Sequence, residues 1–270
     1  MPKHSHARVA IGLLATLAAC AGGTHPPPPS PTVPISVAGP PRNGLEVIGW
    51  MRHAHPSREL RSLAFTMRTT EYGADTAARE ARVQLLLPGK MRVELQPPTK
   101  RSGWVRIRHR LAVFERGRRV ATEDRVDLTA LLAYDLFAQS IDTTIMWLDS
   151  TRMRFGLLRR DELDGRAVWV VGAMSGDTTS TQFWVDADRW RVVRVMQPQM
   201  LSPVVHIDVR FTSYEDADGV PVPNRIDVYY GGRLIERSEI SDVIVNPTLS
   251  ERAFDLTRWR ETKPVIAPNR

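Results

Sequence analysis

The chain has 270 residues, of which 42% are hydrophobic and 25% are charged, and this composition is ordinary for a globular protein. Its formal charge of +7 and its sequence pI near 10.0 are compatible with an anionic lipid or lipopolysaccharide surface as a partner, although an arginine-rich proteome explains them more simply. Nucleic acid binding is disfavoured, because the arginines are scattered and form neither one basic helix nor an aromatic-interleaved motif.

The N-terminus has the organisation of a bacterial lipoprotein signal. A short basic start precedes an apolar run at residues 9–19, which is too short to span a bilayer as a helix. Residues 17–20, Leu-Ala-Ala-Cys, resemble the lipobox, in which the signal is cut before a cysteine that carries a diacylglycerol. We therefore expect a signal peptide at residues 1–19 and a lipidated Cys20 that incorporates palmitate.

The cysteine count supports this interpretation. Cys20 is the only cysteine, so it cannot form an intramolecular disulfide, and a lone thiol in an oxidising compartment needs another role. Removal of the signal also removes Lys3 and Arg8, so that 35 basic residues face 30 acidic ones and the charge falls to +5. By resemblance to lipoproteins that an aspartate after the cysteine keeps at the inner membrane, Ala21 predicts the periplasmic face of the outer membrane. The alternatives are a chance cysteine after an ordinary signal and an uncleaved anchor.

Residues 20–43 have the composition of a tether. They are rich in proline, glycine and small polar residues, with four consecutive prolines at 26–29. Such a segment has too little apolar surface to fold and favours an extended polyproline-like conformation of about 3.1 Å per residue. We expect it to hold a folded domain tens of ångströms from the membrane.

The folded part is expected to begin with a short amphipathic helix. Asn43 is a plausible helix cap, Glu46 follows three residues later, and the apolar side chains that come next recur at helical spacing. His53 and His55 lie near the predicted end of this helix. They form a possible metal-binding pair, but no third ligand is nearby, and a solvated helix end is the simpler interpretation.

A series of strands follows. Alternating apolar and polar residues predict strands at residues 60–72, 81–87, 90–96 and 105–108 and a hairpin at 111–121, with residues 77–80 as either strand or helical turn.

The pattern then changes to a helical insertion. Asp127 precedes leucines at 128, 131, 132 and 136, a helical stripe behind a capping residue, and residues 145–148 prolong the apolar segment. These helices either pack on the sheet and fill the core or lie across its apolar face as the cover of a cavity. The chain returns to strands at residues 153–158.

The pattern of apolar, polar and turn residues at 165–246 predicts an antiparallel meander. Residues 205–211 alternate strictly between apolar and polar side chains, residues 225–230 repeat the pattern, and Asp-Gly and Gly-Gly turns separate the runs. Residues 249–254 are expected to close this meander.

No specific catalytic motif is present. The sequence lacks a G-x-S-x-G elbow, an H-E-x-x-H motif and a phosphate-binding loop. Asp186 and Asp188 lie between two apolar runs, where a turn is more probable than a carboxylate pair. His206 and Asp208 share one strand face, but no nucleophile stands at a defined spacing from them. We predict neither enzymatic activity, nor a metal site, nor a cofactor.

Four stretches of the chain share a distinctive order: residues 88–94 (PGKMRVE), 183–186 (FWVD) running into 191–195 (RVVRV), 214–223 ending in DGVPVP, and 245–247 (VNP) followed by Phe254 and Asp255. Together these stretches resemble the LolA/LolB superfamily of outer-membrane lipoprotein carriers and receptors. The resemblance implies a mainly β, α+β fold, namely a strongly curved antiparallel half-barrel of about 11 strands with helices over its concave face.

The resemblance also implies an apolar hollow that accepts acyl chains. The candidate lining residues are Met91, Val93, Val105, Ile107, Leu132, Trp147, Phe183, Val185, Val193, Val195, Ile207, Val209, Phe211, Ile226 and Val228. Two features depart from the family. The loop at residues 97–103 lacks the exposed leucine of the receptors, and the lipidated cysteine is absent from the soluble carriers.

The expected organisation is a signal peptide at residues 1–19, a lipidated tether at 20–43, a lipid-binding domain at 44–260 and a polar tail at 261–270. The expected function is binding of acyl chains of lipids or lipoproteins, in lipoprotein sorting or lipid handling, by a protein anchored to the membrane. The alternatives are an envelope sensor or assembly module that binds a protein partner and, third, a hydrolase.

Overall fold

The computed structural model describes residues 39–55, 60–199 and 205–262. The predicted signal peptide, Cys20, most of the tether and most of the polar tail lie outside these residues, so the expectations for them stay predictions.

A single antiparallel sheet of thirteen strands forms the body of the described chain. The meander predicted for residues 165–246 accounts for most of its second half. The strands are β1 (Ser62–Glu71), β2 (Ala77–Leu86), β3 (Lys90–Leu95), β4 (Gly103–Ile107), β5 (Arg110–Glu115), β6 (Arg118–Asp124), β7 (Leu158–Leu163), β8 (Arg166–Val171), β9 (Gln182–Asp186), β10 (Val192–Gln199), β11 (Val205–Ala217), β12 (Val220–Tyr230) and β13 (Arg233–Val245).

The order of the strands explains why the sheet is open. Strands that follow each other in sequence pair as hairpins, except β6 and β7, which do not pair with each other. Because β1 pairs with β13, β6 and β7 form the two free edges of the sheet. The sheet curves without closing, which confirms the predicted half-barrel. It has two strands more than the family-based expectation of about 11. The return to the sheet lies at β7 and not at residues 153–158, because β7 is a polar edge strand that apolar alternation does not reveal.

Three helices lie on the concave face and complete the main core. They are α1 (Gly44–Ala54), α2 (Leu128–Ala133) and α3 (Ile141–Asp149), and the leucines of α2 are buried among the inward residues of the strands. This confirms the predicted helical insertion. None of the helices in the described ranges is long and apolar enough to cross a membrane.

The start of α1 is fixed by three contacts. Asn43 Oδ1 accepts a hydrogen bond from Glu46 N at 3.0 Å, as the capping prediction requires. The Glu46 carboxylate accepts from Arg42 N at 2.8 Å, so the reciprocal bond goes to the residue before the cap. Gly44 N donates to Phe155 O at 2.7 Å, and a Cβ at Gly44 would lie 2.4 Å from Val171 Cγ1. The helix therefore abuts β8 at a position where only glycine fits.

A second apolar cluster lies on the opposite, convex face of the sheet. Residues 249–254 do not add a strand but form a short 3₁₀ turn, Glu251–Ala253, and the chain then crosses β3, β4 and β5. Phe254 and Trp259 pack there on Val105 and Phe114, both of which are fully buried. The convex face is thus partly covered by the C-terminal segment.

Candidate functional site

The two ends of the concave face differ. The hairpins β1–β2, β3–β4 and β5–β6 turn at one end, which we call the open end. The β2–β3 and β4–β5 turns lie at the other end, which we call the covered end, because α2 and α3 approach them there. The Trp147 ring of α3, for example, lies 5.5 Å from the His109 ring of the β4–β5 turn.

A cleft of about 1080 Å³ occupies the concave face at the open end. Its floor includes Met67, Ala81, Val93 and Trp104, which are inward residues of β1 to β4. At its edge stands Val120 of β6, which is 52% exposed and is one of only two large apolar side chains exposed to that extent in the described ranges. The cleft is therefore apolar at its base and unfilled by the side chains that line it.

One wall of the cleft carries a compensated group of charges. Arg79 pairs with Glu71 on the neighbouring strand, and Glu236 of β13, which is buried, lines the same wall. Burial lowers the pKa of the Arg79 guanidinium, while the nearby Glu236 carboxylate acts in the opposite direction. Next to them, Thr69 Oγ1 and Ser238 Oγ share a buried hydrogen bond of 2.9 Å. This wall therefore presents satisfied polar groups.

Two turns form the outer rim of the cleft. The rim cations Lys100 and Arg101 belong to the β3–β4 turn, Arg116 belongs to the β5–β6 turn, and Arg118 is the first residue of β6. We call these four residues the cationic rim. Glu115, the last residue of β5, adds one carboxylate to the lining beside them.

A smaller cavity of about 200 Å³ lies at the covered end beneath α2 and α3. The Arg106 side chain is 5% exposed there, with one nitrogen 3.7 Å from Asp127 Oδ2 and another 3.8 Å from Asp135 Oδ2. Asp135 Oδ1 accepts a hydrogen bond of 2.8 Å from Gly89 N. Burial raises the pKa of the Asp135 carboxyl, and the Arg106 charge only partly offsets this. The group ties the helical cover to the sheet.

The predicted lining residues fall into three groups. Val105 and Ile107 belong to the convex cluster under the C-terminal segment, and Val193 packs with Val168, Val170 and Trp184 in a third cluster. Of the whole set, Val93 lines the large cleft and Trp147 lines the small cavity. The others are in the main core or pack against it: Met91, Val93, Leu132, Trp147, Phe183, Val185, Val195, Ile207, Val209, Phe211, Ile226 and Val228.

The polar candidates have ordinary structural roles. His55 contacts the Arg189 carbonyl through Nε2 at 2.8 Å, whereas the His53 ring lies edge-on to Trp50. Among the described residues, no group of three or more metal-ligating side chains comes together.

Two of the three acidic candidates, Asp186 and Asp208, use their carboxylates in hydrogen bonds within the protein. Asp186 Oδ1 accepts from the backbone N–H groups of Asp188 and Arg189, which makes the predicted turn. Asp208 accepts paired hydrogen bonds from Arg194 at 2.8 Å and further ones from Arg210, so its carboxylate serves an ion-pair network on the convex face.

Sequence reasoning missed the rim arginines, Val120 and the Arg106 group. Arg116 stands beside Gly117 in a predicted hairpin turn, and this placement was the available signal that its side chain lies at a sheet end. Its proximity to Arg101 depends on how two separate turns pack, which alternation along one strand does not encode.

Comparison with known proteins gives a match in structure alone. No family model and no curated protein matches the chain. An outer membrane lipoprotein-sorting protein domain from Vibrio parahaemolyticus is similar, with a TM-score of 0.54 and 11% identity over 78% of this chain and 96% of that one. A DUF1329 family protein from Desulfovibrio piger gives 0.51 and 11%, over 78% and 95%. A LolA superfamily protein from Nitrosomonas europaea gives 0.50 and 15%, over 79% and 97%.

These identities are too low to carry residue roles across, but the likeness covers nearly all of each solved structure. The resemblance predicted from the sequence motifs is therefore confirmed at the level of the backbone: the chain has the fold found in LolA superfamily proteins.

Proposed function

We propose that this protein is a membrane-tethered lipid-binding protein whose open cleft takes the acyl chains of a lipid or a lipoprotein. The observation that carries the proposal is the cleft of about 1080 Å³ on the concave face, with an apolar floor. Pockets for small ligands commonly measure about 300–1,000 Å³, so this cleft has room for a ligand of that class.

The chemistry of the floor suits a hydrocarbon chain. Each CH₂ group that leaves water for an apolar site contributes about 0.8 kcal/mol, so about ten of them offset a large part of the entropy lost on binding. Met67, Val93 and Trp104 border the cleft with apolar side chains and carry no reactive group. Binding, and not catalysis, is accordingly the function that we propose.

The similar solved structures support the proposal at the level of the general class of protein. One of them is described as a lipoprotein-sorting domain of the outer membrane, and another as a LolA superfamily protein. As part of the proposal, we apply this description to the present chain. We propose that the protein acts in lipoprotein sorting or lipid handling at the periplasmic face of the outer membrane. The predicted Cys20 anchor and the tether at residues 20–43 complete the proposed organisation.

Photo-crosslinking in cells tests the proposal with the full chain. A benzoylphenylalanine replaces Val120 at the cleft, and in a matched control it replaces Met174, which is 60% exposed in the loop between β8 and β9. After irradiation, we expect lipid adducts at position 120 and none at position 174, as measured by mass spectrometry. Protein adducts without lipid at position 120 would contradict the proposal and favour a sensor or assembly module.

A further inference from the structure

We propose that the ligand of the cleft is an anionic lipid whose phosphate headgroup is held by the cationic rim while its acyl chain lies on the apolar floor. This inference rests on the proposed lipid-binding function and adds the chemical class of the headgroup. It follows from three properties of the four rim cations: they stand at the mouth of the cleft, hydrogen bonds hold their two turns together, and they have few ion-pair partners.

The two rim turns are joined to each other. Gly117 N donates a hydrogen bond of 2.7 Å to Arg101 O, and Arg116 N donates one of 3.1 Å to Ser102 Oγ. Ser102 Oγ in turn donates to Lys100 O at 2.9 Å. The two bonds from Gly117 and Arg116 connect residues that are 14 or more positions apart in sequence, so cations from two hairpins stand together before any ligand arrives.

The rim charges are largely uncompensated. In the described parts of the chain, Lys100, Arg116 and Arg118 form no ion pair, and Arg101 reaches only the exposed Glu261, at 4.0 Å. The deeper Arg79 differs, because it pairs with Glu71. Positive charge is therefore available at the mouth of the cleft and neutralised along its wall.

This distribution matches an amphiphile with a negative head. Guanidinium groups bind phosphate oxygens through two parallel hydrogen bonds, which makes arginine pairs effective phosphate ligands. A neutral or zwitterionic lipid would satisfy the floor but not the rim. The single carboxylate of Glu115, which precedes Arg116 in sequence, does not balance the four rim cations, so the rim keeps an excess of positive charge.

The test compares two photoreactive lipids with identical acyl chains, phosphatidylglycerol and phosphatidylcholine, each added in trace amount to phosphatidylcholine vesicles. The purified full chain is irradiated with each, and the crosslinked fraction is measured by mass spectrometry. The rim variant carries Arg116→Gln and Arg118→Gln. The control carries Arg166→Gln and Arg252→Gln, which removes the same charge from exposed positions outside the cleft.

We expect the native chain to capture phosphatidylglycerol preferentially, and we expect the preference to fall by about fivefold for each rim cation removed. The control variant should keep the native preference. Equal capture of both lipids by the native chain, or an unchanged preference in the rim variant, would overturn the inference while leaving acyl-chain binding intact. Capture of neither lipid would overturn the proposed function as well.

Discussion

The Arg92 guanidinium lies over the Trp259 ring, with its central carbon 3.8 Å from the ring centroid. Arg92 is 1% exposed, and its nitrogens donate to the Ala253 and Arg260 carbonyl oxygens at 3.1 and 2.7 Å. A residue of the third strand thus holds the C-terminal segment on the convex face. Because Arg92 holds this segment in place, the sheet carries apolar side chains on its convex face as well as on its concave face in the region of the open cleft.

Replacement of Trp259 should therefore destabilise the whole sheet. Trp259→Ala removes a large buried ring from Phe114 and from Arg92, and we expect a loss of about 3 kcal/mol in the free energy of unfolding. Urea denaturation measures this loss. Trp259→Phe keeps an aromatic ring at this position and should lose clearly less unfolding free energy than Trp259→Ala. Equal losses in the two variants would show that stacking of an aromatic ring on Arg92 contributes little.

The arrangement of the rim depends on one glycine. Gly117 has φ +79°, and a Cβ there would lie 3.0 Å from Arg101 Cζ. Gly117→Ala should lower the unfolding free energy by about 1 kcal/mol through backbone strain and should also displace the Arg101 guanidinium. Thermal melting measures the first effect, and capture of photoreactive phosphatidylglycerol measures the second.

Gly165 supplies the matched control for that experiment. Its φ is +75°, but nothing lies within 4 Å of a Cβ built on it, so Gly165→Ala has comparable backbone strain without a clash. It should lower the melting temperature without reducing lipid capture. A parallel loss of capture in both variants would mean that the rim geometry is not what Gly117 protects.

The lipid anchor can be tested separately from the fold. Radioactive palmitate should label the native chain in cells, and the label should disappear in Cys20→Ala, because Cys20 is the only cysteine. Ala21→Asp serves as the control: it should keep the label while shifting the protein to the inner-membrane fraction. Label that persists in Cys20→Ala would rule out acylation at this thiol.

Much of this fold was predictable from local patterns. Asn43 caps α1 because its own backbone is extended, so its side-chain amide oxygen can reach the backbone N–H of the residue three positions later. Ile207 and Val209 alternate with Asp208 and Arg210 because one face of β11 meets the main core and the other carries the ion pairs. In these elements, near neighbours decide the structure.

Alternation does not reveal which face of a strand is the concave one. Val105 and Ile107 alternate as an inward set should, yet they face the convex cluster, because Phe254 and Trp259 return from the far end of the chain to cover them. Trp104 takes the inward position on the same strand. The site depends on such distant contacts, and a single sequence carries no direct record of them.

The buried carboxyl at the covered end should make stability depend on pH. The pKa of Asp135 is raised above its ordinary value of 3.8, mainly by burial, so the native state retains this proton after the unfolded chain has released it. As the pH rises above 3.8 and through the raised folded pKa, this carboxyl therefore subtracts from the free energy of unfolding. Below 3.8 both states are protonated, and the effect vanishes.

Asp135→Asn isolates this contribution. The amide oxygen can still accept from Gly89 N, but the side chain no longer ionises. From below 3.8 to neutral pH, urea denaturation should show the native chain losing stability relative to Asp135→Asn. Asp149→Asn, which changes an exposed carboxyl at the end of α3, should run parallel to the native chain. A pH-independent difference between the native chain and Asp135→Asn would mean that the pKa of Asp135 is the same in the folded and unfolded states, and a native chain that gains stability with rising pH would mean that Arg106 lowers that pKa.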